Sequence, residues 1–169
     1  MASKTRVLEY VDSKGLTLED RVVQINRCAT VVKGGRRFSF SALVAVGDGK
    51  GTVGIGFGKA KGVPQAVEKG VTDAGRHCIR VPVVGGTIPH EIEGEYCSSK
   101  VRLMPASAGS GVIACKQVRA LLELAGIHDV LTKLYGSPNP VNVVKAVMDG
   151  LSRLRTKKQI ETLRGVEIR

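Results

Sequence analysis

The chain has 169 residues and a formal net charge of +11, and 43% of its residues are hydrophobic. That length fits one ordinary domain or two small ones, and the apolar content is sufficient for a packed core, which argues against a fully disordered protein. The sequence has neither an apolar run of the about 20 residues that span a bilayer nor a signal-peptide pattern, so we expect neither a membrane protein nor a secreted one.

The chain begins with a segment of mixed character and two predicted strands. Residues 1–18 show no sustained period, and we interpret them as a flexible arm. The β-branched content of residues 21–33 predicts a half-buried strand. The basic sequence Lys33-Gly34-Gly35-Arg36-Arg37 interrupts this pattern, and alternating apolar side chains over residues 38–46 predict a second strand.

A third strand and a helix complete the first half. Residues 47–51, Gly-Asp-Gly-Lys-Gly, predict a hairpin turn. On the returning strand Gly54, Gly56 and Gly58 share one face, which allows another backbone to approach closely. A helix with apolar residues at i, i+3 and i+4 opens at Pro64. The first half is therefore predicted to be β-β-β-α, an antiparallel sheet with one helix across it.

The second half predicts a separate β-β-α-β-α layer, so the fold class is α+β. Its predicted elements are strands at 87–97 and 100–105, a helix after Gly111 that ends at Gly126, a strand at 127–135, and a helix capped at Asn139-Pro140. The predicted divisions are an arm over 1–18, a first domain over 19–82, a second domain over 83–155, and a loose, charged tail over 156–169.

The distribution of charge points to a polyanionic partner. Residues 31–81 carry nine basic and three acidic side chains, whereas residues 82–128 carry four of each. A generally basic, soluble surface is the alternative explanation. Aromatic residues make up only 4% of the chain and tryptophan is absent, which favours contacts with phosphates and RNA shape over stacking on a row of rings.

Three basic, glycine-rich turns are the candidate phosphate-binding elements. The turn at 33–37 joins two strands, and its glycines allow amides to turn toward an anion. Gly58-Lys59-Ala60-Lys61 precedes a helix N-terminus, where N–H groups and two ammonium groups can share one phosphate. Lys50 adds a third positive turn. Phe38 and Phe40 share the face that carries Val44, so we expect both rings in the core rather than on RNA.

Two other function classes remain open from the residues alone. Residues 105–114 contain Gly109-Ser110-Gly111 between a predicted strand and helix, and they are similar to the phosphate loop of galactokinase–homoserine kinase-type enzymes. A small nucleotide-binding enzyme is therefore one alternative, although no acidic side chain is evidently placed for magnesium, and a tight glycine turn explains the same residues. A protein adaptor is the other, and the excess charge of the first half disfavours it.

No catalytic residue, metal ligand or cofactor site is predicted. The three histidines have no nucleophile or ligand spacing beside them, and the four cysteines have no C-x-x-C pair, which indicates reduced thiols. Glu91, Glu93 and Glu95 alternate along a predicted strand, where a solvated face is the expected arrangement and a cation site the less common one.

Several motifs in one order resemble the family of bacterial small-subunit ribosomal protein five. They are Lys33–Leu43, Val46–Gly49, Gly56–Ala60, Met104–Ser107, Gly109 with Gly111, and Tyr135–Pro140. The resemblance covers roughly residues 19–155. It implies a double-stranded-RNA-binding-like domain without its first helix, followed by an α+β domain similar in fold to one domain of the kinases named above.

The resemblance also implies a function and partners. The expected protein is a cytoplasmic constituent of the small ribosomal subunit that binds small-subunit rRNA where head meets body, near the mRNA entry channel. It would neighbour ribosomal proteins four and eight and contribute to translational accuracy. Residues 30–37 are similar to the family loop near the spectinomycin site, and Arg119 is similar to a family position that faces protein four. Cys115-Lys116-Gln117 departs from the Gly-Gly pair that the family often has.

The basic turns and the resemblance together give the expected contact residues. For RNA they are Asn26, Arg27, Thr30, Lys33, Gly34, Gly35, Arg36, Arg37, Lys50, Lys59 and Lys61. For protein neighbours they are Ser107, Gly109 and Arg119.

Overall fold

A computed structural model describes residues 17–167, which form two four-stranded sheets and four helices. The first half contains β1 (Glu19–Val32), β2 (Gly35–Gly47), β3 (Thr52–Ala60), α1 (Val63–Arg76) and β4 (Cys78–Arg80). The second half contains β5 (Ile92–Tyr96), β6 (Ser99–Pro105), β7 (Val112–Ile113), α2 (Lys116–Leu124), β8 (Val130–Gly136), α3 (Pro140–Ser152) and α4 (Lys157–Arg164).

The first sheet is antiparallel in the order β1-β2-β3-β4, and α1 packs across it. The predicted β-β-β-α arrangement is confirmed, with β4 as a short strand that the sequence pattern did not reveal. The second sheet has the order β5-β6-β8-β7, in which only β7 and β8 run parallel. The α+β fold class is thus confirmed, whereas the domain boundaries stay predictions.

The glycines of β3 allow α1 to lie directly on the sheet. A Cβ atom at Gly56 would lie 2.1 Å from the backbone oxygen of Gly70, and one at Gly58 would lie 1.9 Å from that of Ala66. These separations are far inside van der Waals contact, so only residues without a side chain fit here. The close backbone approach predicted from the glycine strip is confirmed.

A single apolar core joins the two halves. Leu43 and Ala45 of β2 point away from α1 and pack in one cluster with Leu121 and Leu122 of α2. The backbone N–H of Gly49 donates to the carbonyl oxygen of Leu124 at 2.9 Å, and Arg21 forms an ion pair with Glu123. The middle and end of β2 are therefore buried on both faces.

The exposure of β1 differs from the prediction of a half-buried strand. Of its 14 residues only Val23 is buried, and Ile25 and Val31 are 42% and 74% exposed. A bulge between Val22 and Gln24 breaks the alternation on which the prediction relied. Beyond the bulge β1 extends past α1, so no described helix or second sheet packs on it.

The second half departs from the prediction after Gly111 and near the chain end. Val112 and Ile113 pair with Val130 and Leu131 as a short parallel strand, and α2 begins only at Lys116. The expectation of a helix directly after the glycine turn is therefore wrong. Strands β5 and β8 begin later than predicted, at Ile92 and Val130.

The charged segment at the end contains α4, so the prediction of a loose tail is wrong over 157–164. A capping box between Thr156 and Gln159 begins this helix and Gly165 ends it. Residues 1–16, most of the predicted arm, lie outside the described residues. None of the helices in residues 17–167 has the length and apolar character needed to cross a membrane.

Candidate nucleic-acid interface

The paired strands β1 and β2 extend past the end of β3 and carry most of the expected RNA contacts. Phe40 pairs with Ala60, the last residue of β3, so residues 35–39 of β2 pair with β1 alone. We call residues 24–41 the basic hairpin, because they contain four arginine or lysine side chains and no aspartate or glutamate. All four cations are exposed.

Strand register divides the expected RNA contacts between the two faces of the sheet. The face away from α1 carries Asn26, Thr30, Arg37 and Lys59. The face on the α1 side carries Arg27 and Arg36. Asn26 pairs with Ser41 and Ser41 with Lys59, so these three residues form one row across β1, β2 and β3.

The hairpin tip is a two-residue turn with its cations in solvent. Val32 pairs with Gly35, so the turn consists of Lys33 and Gly34, and Gly35 has a φ of 141°. Within residues 17–167 no carboxylate forms an ion pair with Lys33, Arg36 or Arg37. The positive charge of the tip is therefore available to an external anion.

The N-terminus of α1 is a second electropositive point. Gly62 caps this helix without a side-chain hydrogen bond, and the first turn has no acidic residue. Lys59 and Lys61 are exposed immediately before it. Uncapped N–H groups, the positive end of the helix dipole and the ammonium group of Lys61 form a suitable environment for a phosphate, whereas the side chain of Lys59 lies on the face of the sheet away from α1.

Lys50 lies at the opposite end of β2 from the hairpin tip. β2 has 13 residues, which at about 3.4 Å each span about 40 Å. In the Lys50 turn the carboxylate of Asp48 accepts the backbone N–H groups of Lys50 and Thr52 at 2.7 and 2.8 Å. Burial alone would raise the pKa of Asp48, but these hydrogen bonds outweigh it and hold the pKa below its usual 3.8. The structure does not bring Lys50 together with the other expected contacts.

The two neighbouring phenylalanines have different environments. Phe40 is partly buried and packs with Ala42, Val44 and Ala66, as predicted. Phe38 is 50% exposed, so the expectation that both rings lie in the core is wrong for this residue. The guanidinium carbon of Arg27 lies 4.6 Å from the centre of the Phe38 ring. Sequence reasoning missed this pair because only the strand register makes the two residues diagonal neighbours.

The expected protein contacts lie in the second half around β7. Arg119 on α2 is exposed and donates to the carbonyl oxygen of Val112 at 3.2 Å, which places it beside the end of the 106–111 loop. Ser107 and Gly109 belong to that loop, and Ser107 Oγ lies 3.2 Å from Ser110 Oγ. Arg119 also lines an open cavity of about 310 Å³, together with Cys115 and Lys133.

The glycine loop before β7 does not have the geometry of a phosphate loop. The N–H of Gly111 already donates to a carboxylate oxygen of Asp129 at 2.9 Å, and this negative charge would repel a phosphate. β7 separates the loop from α2, so the helix N-terminus does not lie behind the glycines. The geometry favours the tight glycine turn over the nucleotide site.

The three glutamates near β5 engage cations of β6. Lys100 forms ion pairs with Glu95 at 2.5 Å and with Glu93 at 4.0 Å, and Arg102 pairs with Glu91. The hydrogen bond and charge of Glu95 raise the pKa of Lys100. Among residues 17–167 no group of three or more histidine, cysteine or acidic side chains is placed to hold a metal ion. This arrangement corresponds to a solvated strand face.

Two family models match the chain, one for each half. The model described as ribosomal protein S5, N-terminal domain, matches residues 18–82, and that of ribosomal protein S5, C-terminal domain, matches residues 94–164. Among curated proteins the chain is 61% identical over 155 residues to the small ribosomal subunit protein uS5 of Rubrobacter xylanophilus, covering 92% of this chain and 78% of that protein. It is 57% identical over 149 residues to that of Rhodopirellula baltica (88% and 84%) and 56% identical over 158 residues to that of Syntrophobacter fumaroxidans (94% and 95%).

Proposed function

The chain belongs to the ribosomal protein S5 family, and from that premise we propose how it acts in the small ribosomal subunit. It is a structural ribosomal protein and not an enzyme, and its place is the small ribosomal subunit, which in bacteria lies in the cytoplasm. We propose that the basic hairpin and the N-terminus of α1 bind small-subunit rRNA near the junction of head and body. The protein thereby holds one local RNA geometry.

The observation that carries this proposal is the run of sequence without acidic residues around the hairpin. Residues 21–47 contain five basic side chains and no aspartate or glutamate, and the three cations nearest the tip are exposed. The exposed part of this segment around the tip attracts phosphates without competition from a neighbouring carboxylate of its own, and each phosphate that it neutralises releases counterions.

The arrangement favours positioning of RNA over base reading. Cations on both faces of a narrow hairpin allow RNA strands to contact it from two sides. Lys61 holds a further phosphate at the start of α1, and Lys59 adds positive charge to the face of the sheet away from α1. Because these are mainly contacts with backbone phosphates, they fix orientation and register but carry little sequence information. We expect direct base contacts to be few.

The second half is proposed to contact protein neighbours. The 106–111 loop and Arg119 lie together beside β7, and residues 82–128, in which they occur, carry no net charge. A neutral surface suits a protein partner better than RNA. Ribosomal proteins four and eight are the proposed partners, and through them the protein would contribute to decoding accuracy and to the mRNA entry region.

The dependence of rRNA affinity on salt tests the RNA contacts. The variant Arg36→Gln/Arg37→Gln/Lys59→Gln/Lys61→Gln removes four proposed phosphate contacts. Each such contact contributes roughly 0.7 to 0.9 to the slope of log K against log salt, so we expect the slope to fall by about 3. Affinity for in vitro transcribed small-subunit rRNA is measured between 50 and 200 mM salt, a fourfold range over which a slope of about 3 corresponds to a change in binding of about 60-fold.

A variant with the same loss of charge serves as the control. It replaces four exposed cations of α3 and α4 with glutamine: Lys145, Lys157, Lys158 and Arg164. If the proposal is correct, this control changes the slope much less than the hairpin variant does. Equal slopes for the hairpin variant and the wild-type protein would contradict the proposal.

A further inference from the structure

Phe38 combines an exposed ring, a stacked cation and surroundings without acidic residues. Its ring is 50% exposed, the guanidinium of Arg27 lies over the ring at 4.6 Å, and no acidic residue occurs between positions 21 and 47. Ala29 pairs with Phe38 on β1, and its single methyl group leaves the ring uncovered from that side. The charged side chains of the hairpin around the exposed ring are therefore all cationic.

We propose that Phe38 and Arg27 form a stacking site for one unpaired nucleobase of the small-subunit rRNA. This inference rests on the proposed function and adds a second type of contact to it. An aromatic ring binds the π-face of a base, and the planar guanidinium of arginine extends the same surface. The charge of Arg27 also attracts the phosphates on either side of that base.

The surroundings favour a nucleobase over an apolar side chain of a protein neighbour. Arg36 lies on the same face of the sheet as Phe38 and Arg27, and Lys33 lies at the adjoining tip. A protein side chain inserted here would bring its partner's surface against these cations, which would then need acidic residues opposite them. RNA supplies the matching negative charge wherever it binds.

A second aromatic residue provides a matched control. Phe57 is also 50% exposed, but it pairs with Leu43 on the face of the sheet opposite Phe38. The backbone N–H of Phe57 donates to the carboxylate of Asp73 at 3.0 Å, and no cation of the described residues lies over its ring. Phe57 shares its face with Lys59 but has no stacked guanidinium, so equal exposure allows the role of the Arg27–Phe38 pair to be separated from that of exposure.

The first experiment compares Phe38→Leu with Phe57→Leu in binding to in vitro transcribed small-subunit rRNA. Stacking of a base on an aromatic ring contributes about 5- to 150-fold in affinity, so Phe38→Leu should bind weaker by a factor in this range. Because leucine has the same charge as phenylalanine, the slope of log K against log salt should not change. Phe57→Leu should bind as the wild-type protein does, and both variants should melt within about 3 °C of it.

The second experiment uses the absence of tryptophan from the chain. In Phe38→Trp the introduced indole is the sole tryptophan, it can stack in place of phenylalanine, and its fluorescence should be quenched when rRNA is added. Phe57→Trp should show much weaker quenching. Phe38→Trp should also retain affinity within about threefold of the wild-type protein, since the larger ring preserves the stacking surface.

The outcomes separate this inference from the proposed function. Unchanged affinity of Phe38→Leu, or no quenching of Phe38→Trp, would overturn the stacking site even if the hairpin charge variant showed its reduced salt slope. A defect of Phe38→Leu that appeared only in particles assembled with the other small-subunit proteins would overturn it in favour of a protein contact. An unchanged salt slope for the charge variant would instead refute the proposed phosphate contacts.

Discussion

Replacement of Gly58 by alanine tests how closely α1 is held against the sheet. The new Cβ atom would lie 1.9 Å from the backbone oxygen of Ala66 and 2.5 Å from the backbone nitrogen of Gly70. Ordinary contact begins at 3.4 Å, so the helix and the strand must separate by about 1.5 Å. Both opposing atoms belong to the backbone, and no side-chain rotation can relieve the overlap.

The expected cost follows from the loss of this packing. Overpacking of a close contact typically destabilises a protein by 1 to 3 kcal/mol, and because the backbone itself must move we expect about 3 kcal/mol for Gly58→Ala. For a chain of this length that corresponds to a fall in Tm of roughly 6 to 12 °C. Urea unfolding followed by circular dichroism measures the free energy, and calorimetry measures the Tm.

Gly34→Ala is the matched control, because it introduces the same methyl group where no heavy atom lies within 4 Å. The φ of Gly34 is not positive, so alanine fits the backbone there. Because alanine restricts the unfolded chain more than glycine does, the free energy of unfolding should stay unchanged or rise by up to about 1 kcal/mol. A free energy of unfolding for Gly58→Ala within about 0.5 kcal/mol of the wild-type value would contradict the close backbone contact between β3 and α1.

Three further predictions concern the core, a turn and the last helix. Leu121→Ala should cost about 2 to 5 kcal/mol and should lower hydrogen-exchange protection equally in β2 and α3, because one core joins both halves; loss of protection in one half alone would argue against this. Asp48→Ala should cost about 1 to 2 kcal/mol at pH 7 by removing two hydrogen bonds. Because folding lowers the pKa of Asp48, the wild-type protein should exceed the variant in free energy of unfolding by the whole of this amount above about pH 4. The difference should disappear as the pH falls through the folded-state pKa of Asp48. If the difference measured by urea unfolding did not depend on pH, the stabilising role of the Asp48 carboxylate would be contradicted. Thr156→Ala should speed hydrogen exchange in α4 without changing the Tm, since that helix has no buried residue; a lower Tm would show that the capping box supports the core.

The alternation of residues along β2 and β3 was sufficient to predict the sheet, its faces and the contact with α1. A period of two specifies which side chains share a face, and Gly54, Gly56 and Gly58 marked the face on which a helix could rest. It does not specify how far along the strand that helix extends. Phe40 and Phe38 follow the same alternation, yet α1 covers only the first. Because alternation does not show where the cover of a helix ends, it also predicted a half-buried β1, in which only Val23 is buried.

The missed elements are those whose stability comes from partners distant in sequence. β4 and β7 have three and two residues, too few for any period to be visible, and each exists because a strand elsewhere offers hydrogen bonds. β7 pairs with β8, which follows it only after α2, so no local pattern could distinguish it from the start of a helix. The cap residues of α4, Thr156 and Gly165, were visible in the sequence, but the high charge of the segment obscured them.

β2 connects the two proposed contact regions. Its first residues form the basic hairpin, and its last residues are buried between α1 and α2. At that end a Cβ atom on Gly47 would lie 2.3 Å from the carbonyl oxygen of Leu124, so the strand and α2 are held in backbone contact. Arg119 lies on the same helix, α2. The strand therefore forms a continuous connection between the basic hairpin and the helix that carries Arg119.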